Sequence, residues 1–301
     1  MSITTISLTH EQISTWDRCR AYVQLTKPRI GLLVLLTVVV SGTVASWGQP
    51  NPIVLVHAAL GTALVAASGS ALNQWLERRR DGLMPRTAER PLPTGTLSSS
   101  QVIWFAAMTN FVGLVYLLVL VNWQAAVLGL LTWGLYVWAY TPLKTRTGWN
   151  TVVGAVPGAL PVAIGWAAAE GTWDLRAAAL FLIVFLWQFP HFMAIAWIYR
   201  DEYARAGIRM ISVLDPSGKR AGLQAVSGAL AVIPVSYLLA AYSTPTSLPY
   251  VIATMLLGSW QLLAALIFFF KRSDQSARRL LRVSLLYLPV MLVLTLCLPL
   301  I

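Results

Sequence analysis

The chain has 301 residues, of which 57% are hydrophobic and only 11% are charged. Soluble domains average about 25% charged residues, so this composition excludes an ordinary water-soluble protein and is typical of a protein that crosses a membrane several times. The formal net charge of +11 would suit nucleic-acid binding, but that interpretation depends on where the basic residues lie.

The N-terminal part of the chain is polar over its first 26 residues and contains Glu11 and Asp17. A signal peptide would need an apolar stretch here, and transit peptides contain few acidic residues. We therefore predict a cytoplasmic N-terminal segment at 1–26, followed by one polytopic membrane domain at 27–301. A bacterial inner membrane is the simplest location for it.

The rest of the chain contains nine apolar stretches. Most are within the roughly 17–25 residues that a helix needs to span the hydrocarbon of a lipid bilayer. The sequence therefore predicts an all-α membrane protein with nine transmembrane helices. They are expected at residues 30–48, 53–76, 101–121, 125–140, 150–169, 177–199, 221–242, 249–270 and 280–300.

The basic residues indicate the orientation of these helices. With a cytoplasmic N-terminus, only Arg176 among the 22 Lys and Arg residues would lie outside. Cytoplasmic loops are rich in Lys and Arg, so the N-terminus is predicted to be cytoplasmic. The same distribution explains the net charge with no nucleic-acid partner. It also places Cys19 and Cys297 on opposite sides, which excludes a disulfide between them.

The second predicted span ends with Asn73, Glu77 and Asp81, each four residues after the last. If the helix continues, their side chains form one stripe. Their oxygens are of the kind that Mg²⁺ prefers, and Arg86 and Arg90 follow closely to contact phosphate oxygens. This array predicts a magnesium and diphosphate site. The alternative is a set of interfacial charges at a helix end.

Another inner loop, YTPLKTRTGWN (140–150), places Tyr140, Lys144 and Arg146 on the same predicted face of the membrane. Basic residues are expected in such a loop from topology alone, so the signal is weak by itself. Together with Arg200, at the end of the sixth span, these residues are predicted to bind diphosphate.

The sixth predicted span carries His191 in its interior and Asp201 and Glu202 at its cytoplasmic end. If the helix stays regular beyond Pro190, His191 and Glu202 lie about three turns apart on one face. Asp201 and Glu202 are candidate catalytic carboxylates, with Asp201 also a candidate metal ligand. His191 is either a neutral imidazole bonded to a neighbouring helix or a contact to a bound substrate.

Taken together, these motifs resemble the UbiA-type superfamily of intramembrane prenyltransferases, and most closely its haem-farnesylating branch. The resemblance runs from LTKPRIGLL (25–33) through GAVPGALPVAIGWAA (154–168) to FPHFMAIAWIYRDEYARAGIRM (189–210). The stretches MxRTxxRPL and PHF…RDEYxxAGIxM distinguish that branch from quinone-forming relatives.

The resemblance implies nine helices around a central cavity and the transfer of a farnesyl group from farnesyl diphosphate to a vinyl group of protohaem IX (haem b). It implies Mg²⁺ as cofactor at Asn73, Glu77 and Asp81, with Asp201 and Glu202 in place of the second acidic motif. His191 would then contact the haem, as an axial iron ligand or otherwise. Association with haem A synthase or oxidase assembly proteins is a further implication.

Two alternatives to this function stay open. One is the same chemistry on another aromatic acceptor, such as a quinone precursor or a chlorophyll-type ring. The other is a non-catalytic membrane protein that handles haem. Magnesium-dependent release of diphosphate separates an enzyme from a carrier, and the mass of the product separates the acceptors.

Overall fold

A computed structural model describes residues 14–47, 49–241 and 247–298 of the chain, and these residues form helices, turns and connecting segments, without a β-strand. Thirteen α-helices are distinguished in these residues, with one π-helical turn at Leu135–Tyr140. The α-helices are α1 (Thr15–Thr26), α2 (Pro28–Ala45), α3 (Pro52–Asp81), α4 (Ser99–Leu120), α5 (Trp123–Gly134), α6 (Thr141–Leu143), α7 (Asn150–Ala168), α8 (Leu175–Ile198), α9 (Arg200–Arg205), α10 (Ile211–Leu214), α11 (Lys219–Ala240), α12 (Leu248–Lys271) and α13 (Asp274–Cys297).

Nine helical segments in the described residues are long and apolar enough to cross a bilayer. Eight of them are α2, α3, α4, α7, α8, α11, α12 and α13, and the ninth joins α5, the π turn and α6 over Trp123–Leu143. The predicted all-α class with nine spans is confirmed. The second span is longer than predicted, because α3 continues to Asp81 rather than ending near residue 76.

The ends of several helices follow from local side-chain chemistry. Ser98 and Gln101 form a capping box at the start of α4, where each side chain accepts a hydrogen bond from the other residue's backbone N–H. Asn51 caps α3 by accepting from the N–H groups of Ile53 and Val54. These caps satisfy N–H groups that have no partner inside the helix.

Helix α7 lies at the centre of the bundle, and 72% of its apolar stretch is buried inside the protein. Its close approach to α2 requires a glycine. A Cβ atom at Gly165 would overlap with both the Ser41 Oγ and the Val38 carbonyl oxygen. Any larger residue would push the two helices apart, so this contact helps to position α2, which begins beside the candidate site.

Of the predicted N-terminal segment at 1–26, residues 1–13 lie outside the described part of the chain. The described part forms α1 and contacts the membrane helices. The Gln74 amide of α3 donates to the Leu25 carbonyl oxygen near the end of α1 (3.0 Å). Lys27 then joins α1 to α2 in a left-handed backbone conformation, with φ of 50°. The two cysteines, Cys19 in α1 and Cys297 at the end of α13, are free and exposed.

The sixth predicted span does not remain one helix up to its acidic residues. Helix α8 passes through Pro190 but ends at Ile198, and α9 begins at Arg200 after a break at Tyr199. The expectation that a regular helix places His191 and Glu202 on one face is therefore wrong. The break redirects the chain that carries Asp201 and Glu202.

Candidate functional site

A cavity of about 400 Å³ lies where the C-terminal ends of α3 and α8 meet the junction of α1 and α2. The loop after α3, the π turn and the segment after α9 complete its wall. Its polar lining includes the three α3 residues predicted to bind metal and four basic side chains, whereas Phe192, Ile195 and Met210 are among its apolar lining. Apolar and strongly charged surfaces thus meet in one small space.

Asn73, Glu77 and Asp81 are brought together as the sequence predicted. The helix extends through all three residues, and each is buried and lines the cavity. The four-residue spacing therefore produces one polar stripe on α3.

Each residue of this stripe contacts one cation. The contacts join Lys27 Nζ to Asn73 Oδ1 (2.9 Å), Lys144 Nζ to Glu77 Oε1 (2.8 Å) and Arg90 Nη1 to Asp81 Oδ2 (2.8 Å). Burying a charge is costly unless it is paired, so these contacts account for two carboxylates below the protein surface.

Lys27 was not predicted to be a site residue. Its ammonium lines the cavity, and burial, aided by the nearby charges of Arg90 and Lys144, lowers its pKa to about 7. The pattern that could have revealed it is a lysine directly before Pro28 at the start of a membrane span, because Pro at the first turn marks where the helix begins.

Lys144 is held by Glu77 and by an aromatic ring. Burial alone would lower the pKa of Lys144. The attraction of the adjacent Glu77 carboxylate opposes this effect of burial, and the pKa of Lys144 is raised above its ordinary range. The ammonium also lies 4.7 Å from the ring centroid of Tyr140. Lys144 and Tyr140 both line the cavity, so both lie at the predicted site.

The π-helical turn orients part of the stripe. The Thr141 hydroxyl donates to the carbonyl oxygen of Tyr136 (2.8 Å) and accepts from the Asn73 amide nitrogen (3.1 Å). With its nitrogen donating to Thr141, Asn73 presents its carbonyl oxygen to Lys27. Isolated π turns are often found at functional sites, and this one also brings Tyr136 and Tyr140 into the cavity wall.

The loop after α3 contributes Arg86 and Arg90, which both line the cavity as predicted. Arg86 reaches across to the segment after α8. Its guanidinium carbon lies 4.6 Å from the ring centroid of Tyr199 and 5.4 Å from that of Tyr203, and it donates to the Tyr203 hydroxyl at 3.2 Å.

Several predicted residues lie away from this cavity. Asp201 and Arg146 are exposed, Glu202 is half-buried, and none of the three belongs to the cavity lining. Arg200 turns to α13, where it forms an ion pair with Asp274 (2.7 Å). The roles assigned to these four residues stay predictions.

His191 contacts α13 and does not itself line the cavity. Its Nδ1 is 3.0 Å from the Ser284 Oγ, and its ring stacks on Trp187 at 4.9 Å between centroids. The neighbouring Phe192 lines the cavity instead. The hydrogen bond to a neighbouring helix matches one of the two interpretations of His191, and the role as an acceptor contact stays a prediction.

The stripe on α3 is chemically suited to Mg²⁺. No cluster of three or more His, Cys, Asp or Glu residues capable of holding a metal occurs in the described residues, so the candidate set is two carboxylates and an amide. The Asp81 Oδ1 is buried and has no hydrogen-bond partner. A buried carboxylate oxygen without a partner beside Glu77 and Asn73 fits a hard cation that also binds phosphate and water.

Comparisons with known proteins agree with this architecture. The model of the UbiA prenyltransferase family matches residues 34–288. The chain is 41% identical over 283 residues to a protoheme IX farnesyltransferase from Solibacter usitatus, covering 90% of this chain and 96% of the relative.

Two solved structures share the fold at low sequence identity. One, of a digeranylgeranylglyceryl phosphate synthase, has a TM-score of 0.77 at 14% identity and covers 94% of this chain and 99% of that one. The other, a UbiA homologue from Archaeoglobus fulgidus bound to DMAPP and Mg²⁺, has a TM-score of 0.63 at 16% identity, covering 91% and 98%. The chain belongs to the UbiA prenyltransferase family.

Proposed function

We propose that this membrane enzyme transfers a farnesyl group from farnesyl diphosphate to a vinyl group of haem b, giving haem O and diphosphate. The observation that carries the proposal is the cavity, where buried oxygen ligands and basic side chains adjoin apolar residues. Such a space suits a substrate with an anionic head and an apolar chain. The 41% identity to a protoheme IX farnesyltransferase supports haem as the acceptor.

The charged part of the cavity receives the diphosphate. Lys27, Arg86, Arg90 and Lys144 all line it. Their basic groups would contact the phosphate oxygens. Asn73, Glu77 and Asp81 would hold Mg²⁺, which when bound would supply further electrostatic stabilisation of the leaving diphosphate. These charges are worth more in a site shielded from water than in solution.

The reaction then breaks the bond between the farnesyl carbon and the diphosphate oxygen, and the electron pair leaves with diphosphate. The vinyl double bond of haem attacks the resulting allylic cation and forms the new carbon–carbon bond. Water adds to the positive carbon next to the porphyrin and loses a proton, which leaves a hydroxyl. Apolar side chains such as Phe192 and Ile195 keep water from the first cation.

The direct test is to co-express the protein with a source of farnesyl diphosphate and to measure the masses of the extracted haems. We expect the haem b mass increased by one farnesyl group and one hydroxyl group, with Mg²⁺-dependent release of diphosphate by the purified protein. A prenylated quinone precursor or chlorophyll-type ring would identify a different acceptor. Bound haem without any diphosphate release would identify a carrier.

The location is proposed to be a bacterial inner membrane with a cytoplasmic N-terminus, so that the cavity opens to the cytoplasm. We expect reporter fusions after residues 49, 122 and 172 to give signals from the outer side. Fusions in the loops near 78–100 and 141–149 serve as controls and are expected to report the cytoplasm. Cytoplasmic signals from all three outer positions would contradict this orientation.

An association with haem A synthase or oxidase assembly proteins is proposed because the product stays in the bilayer and has to reach the next membrane protein there. Co-purification from mildly solubilised membranes tests it. Recovery of this chain alone, under conditions that preserve other membrane complexes, would contradict it.

His191 is proposed to contact the haem acceptor. We expect His191→Ala to weaken the use of haem b while leaving binding of farnesyl diphosphate largely intact, because the phosphates lie beside α3. The measurement is a separate titration of the two substrates with the purified variant. Unchanged haem affinity together with unchanged turnover would leave His191 a structural role only, through its contacts with Ser284 and Trp187.

A further inference from the structure

Arg86 is held differently from Arg90 and Lys144, two of the other basic side chains that line the cavity. Arg90 and Lys144 are paired with carboxylates, at 2.8 Å in each case. Within the described parts of the chain, no carboxylate lies within ion-pair distance of Arg86. Its guanidinium instead contacts the rings of Tyr199 and Tyr203 and donates to the Tyr203 hydroxyl.

The difference matters for the charge that an incoming anion meets. A carboxylate orients a guanidinium but also neutralises much of its charge. An aromatic ring attracts the same cation through its quadrupole and leaves the net charge unchanged. The two tyrosines therefore restrict the Arg86 side chain, which is otherwise exposed, while its full positive charge stays available in the cavity.

The same contact joins two covering segments of the site. Arg86 belongs to the loop after α3, whereas Tyr199 lies at the break after α8 and Tyr203 lies in α9. Tyr203 lines the cavity together with Arg86, whereas the neighbouring Asp201 and Glu202 do not. The segment predicted to supply carboxylates thus also contributes the Tyr203 ring to the cavity wall.

We propose that Tyr199 and Tyr203 are positioning residues that hold Arg86 for the diphosphate of the prenyl substrate. The inference rests on the proposed function only in taking a diphosphate as the ligand. Because the guanidinium is already oriented, less side-chain entropy is lost when the phosphate binds.

The test is a double-mutant cycle read out by binding of inorganic pyrophosphate in the presence of Mg²⁺, with purified protein in detergent. Single variants Tyr203→Leu and Tyr199→Leu are each expected to weaken binding about three- to thirtyfold, the range that loss of one cation–π contact gives. Tyr203→Phe keeps the ring and loses only the hydroxyl, so it should recover part of the affinity. Tyr237→Leu, an exposed tyrosine on α11, is the matched control and should bind like the wild type.

The cycle is completed by repeating the tyrosine changes in an Arg86→Met background. If the tyrosines act through Arg86, they should cause no further loss of pyrophosphate binding there. An equal loss in both backgrounds, or wild-type affinity of the single variants, would overturn the proposal. If the leucine variants do not fold, Tyr203→Phe alone in the two backgrounds decides the same question.

This readout also separates the inference from the proposed acceptor. Pyrophosphate binding needs no haem, so a coupled cycle without haem O formation would remove the acceptor assignment and leave the positioning role intact. Normal haem O formation with an uncoupled cycle would leave the acceptor assignment intact and remove the positioning role.

Discussion

Replacing Asp81 by Ala is expected to lower turnover about a hundred- to a thousandfold, which is the usual loss when one electrostatic stabiliser of a transition state is removed. Asp81 lines the cavity, and its Oδ1 is buried without a hydrogen-bond partner. Without this carboxylate Mg²⁺ is held less tightly, and diphosphate becomes a poorer leaving group. The initial rate of diphosphate release at saturating substrates measures the effect. Glu77→Ala is expected to act in the same direction.

The control for this experiment is Glu89→Ala. Glu89 lies in the same loop as Arg90 but is exposed and does not line the cavity. We expect normal turnover from Glu89→Ala, and similar amounts of folded protein from Glu89→Ala and Asp81→Ala. If Asp81→Ala retained normal turnover while folded, the α3 stripe would consist only of interfacial charges.

Replacing Lys144 by Met is expected to lower both stability and turnover. The change leaves the Glu77 carboxylate buried without its cation, and breaking a buried ion pair from one side costs about 3–5 kcal/mol. It also removes one of the cations that meet the diphosphate. Thermal unfolding in detergent and turnover of the remaining folded protein measure the two effects separately.

A second change separates the structural part from the chemical part. Adding Glu77→Gln to Lys144→Met removes the unpaired charge, so we expect most of the stability to return while turnover stays low. Lys219→Met, at an exposed position at the start of α11, is the control and should change neither quantity. Unfolding temperatures equal to the wild type in all variants would show that the pair with Glu77 contributes nothing to the fold.

The parts of the fold that the sequence predicted well are those controlled by short-range patterns. Apolar stretches of the right length mark the spans, and the four-residue spacing marks the stripe from Asn73 to Asp81. The capping box of Ser98 and Gln101 marks the start of α4. Each of these depends on residues within about one or two helical turns, so a single sequence is sufficient.

The partners within the site could not be predicted, because they join segments that are distant in the chain. Glu77 pairs with Lys144, which follows it by 67 residues, because the π turn and α6 position Lys144 beside it. The positions of Asp201 and Glu202 depend on the break at Tyr199, which has no proline or glycine to signal it. Lys27 was missed because its contact with Asn73 spans 46 residues.

The position of the cavity at the ends of the helices, rather than midway along them, determines where each product of the proposed reaction goes. Diphosphate is released at the water boundary and is diluted into a three-dimensional volume. The farnesylated haem remains dissolved in a two-dimensional film of lipid. The two products are thus partitioned between phases as they form, and recombination would require both to return to the same boundary. The different solubilities of the two products therefore disfavour the reverse reaction, in addition to the chemistry of the forward step.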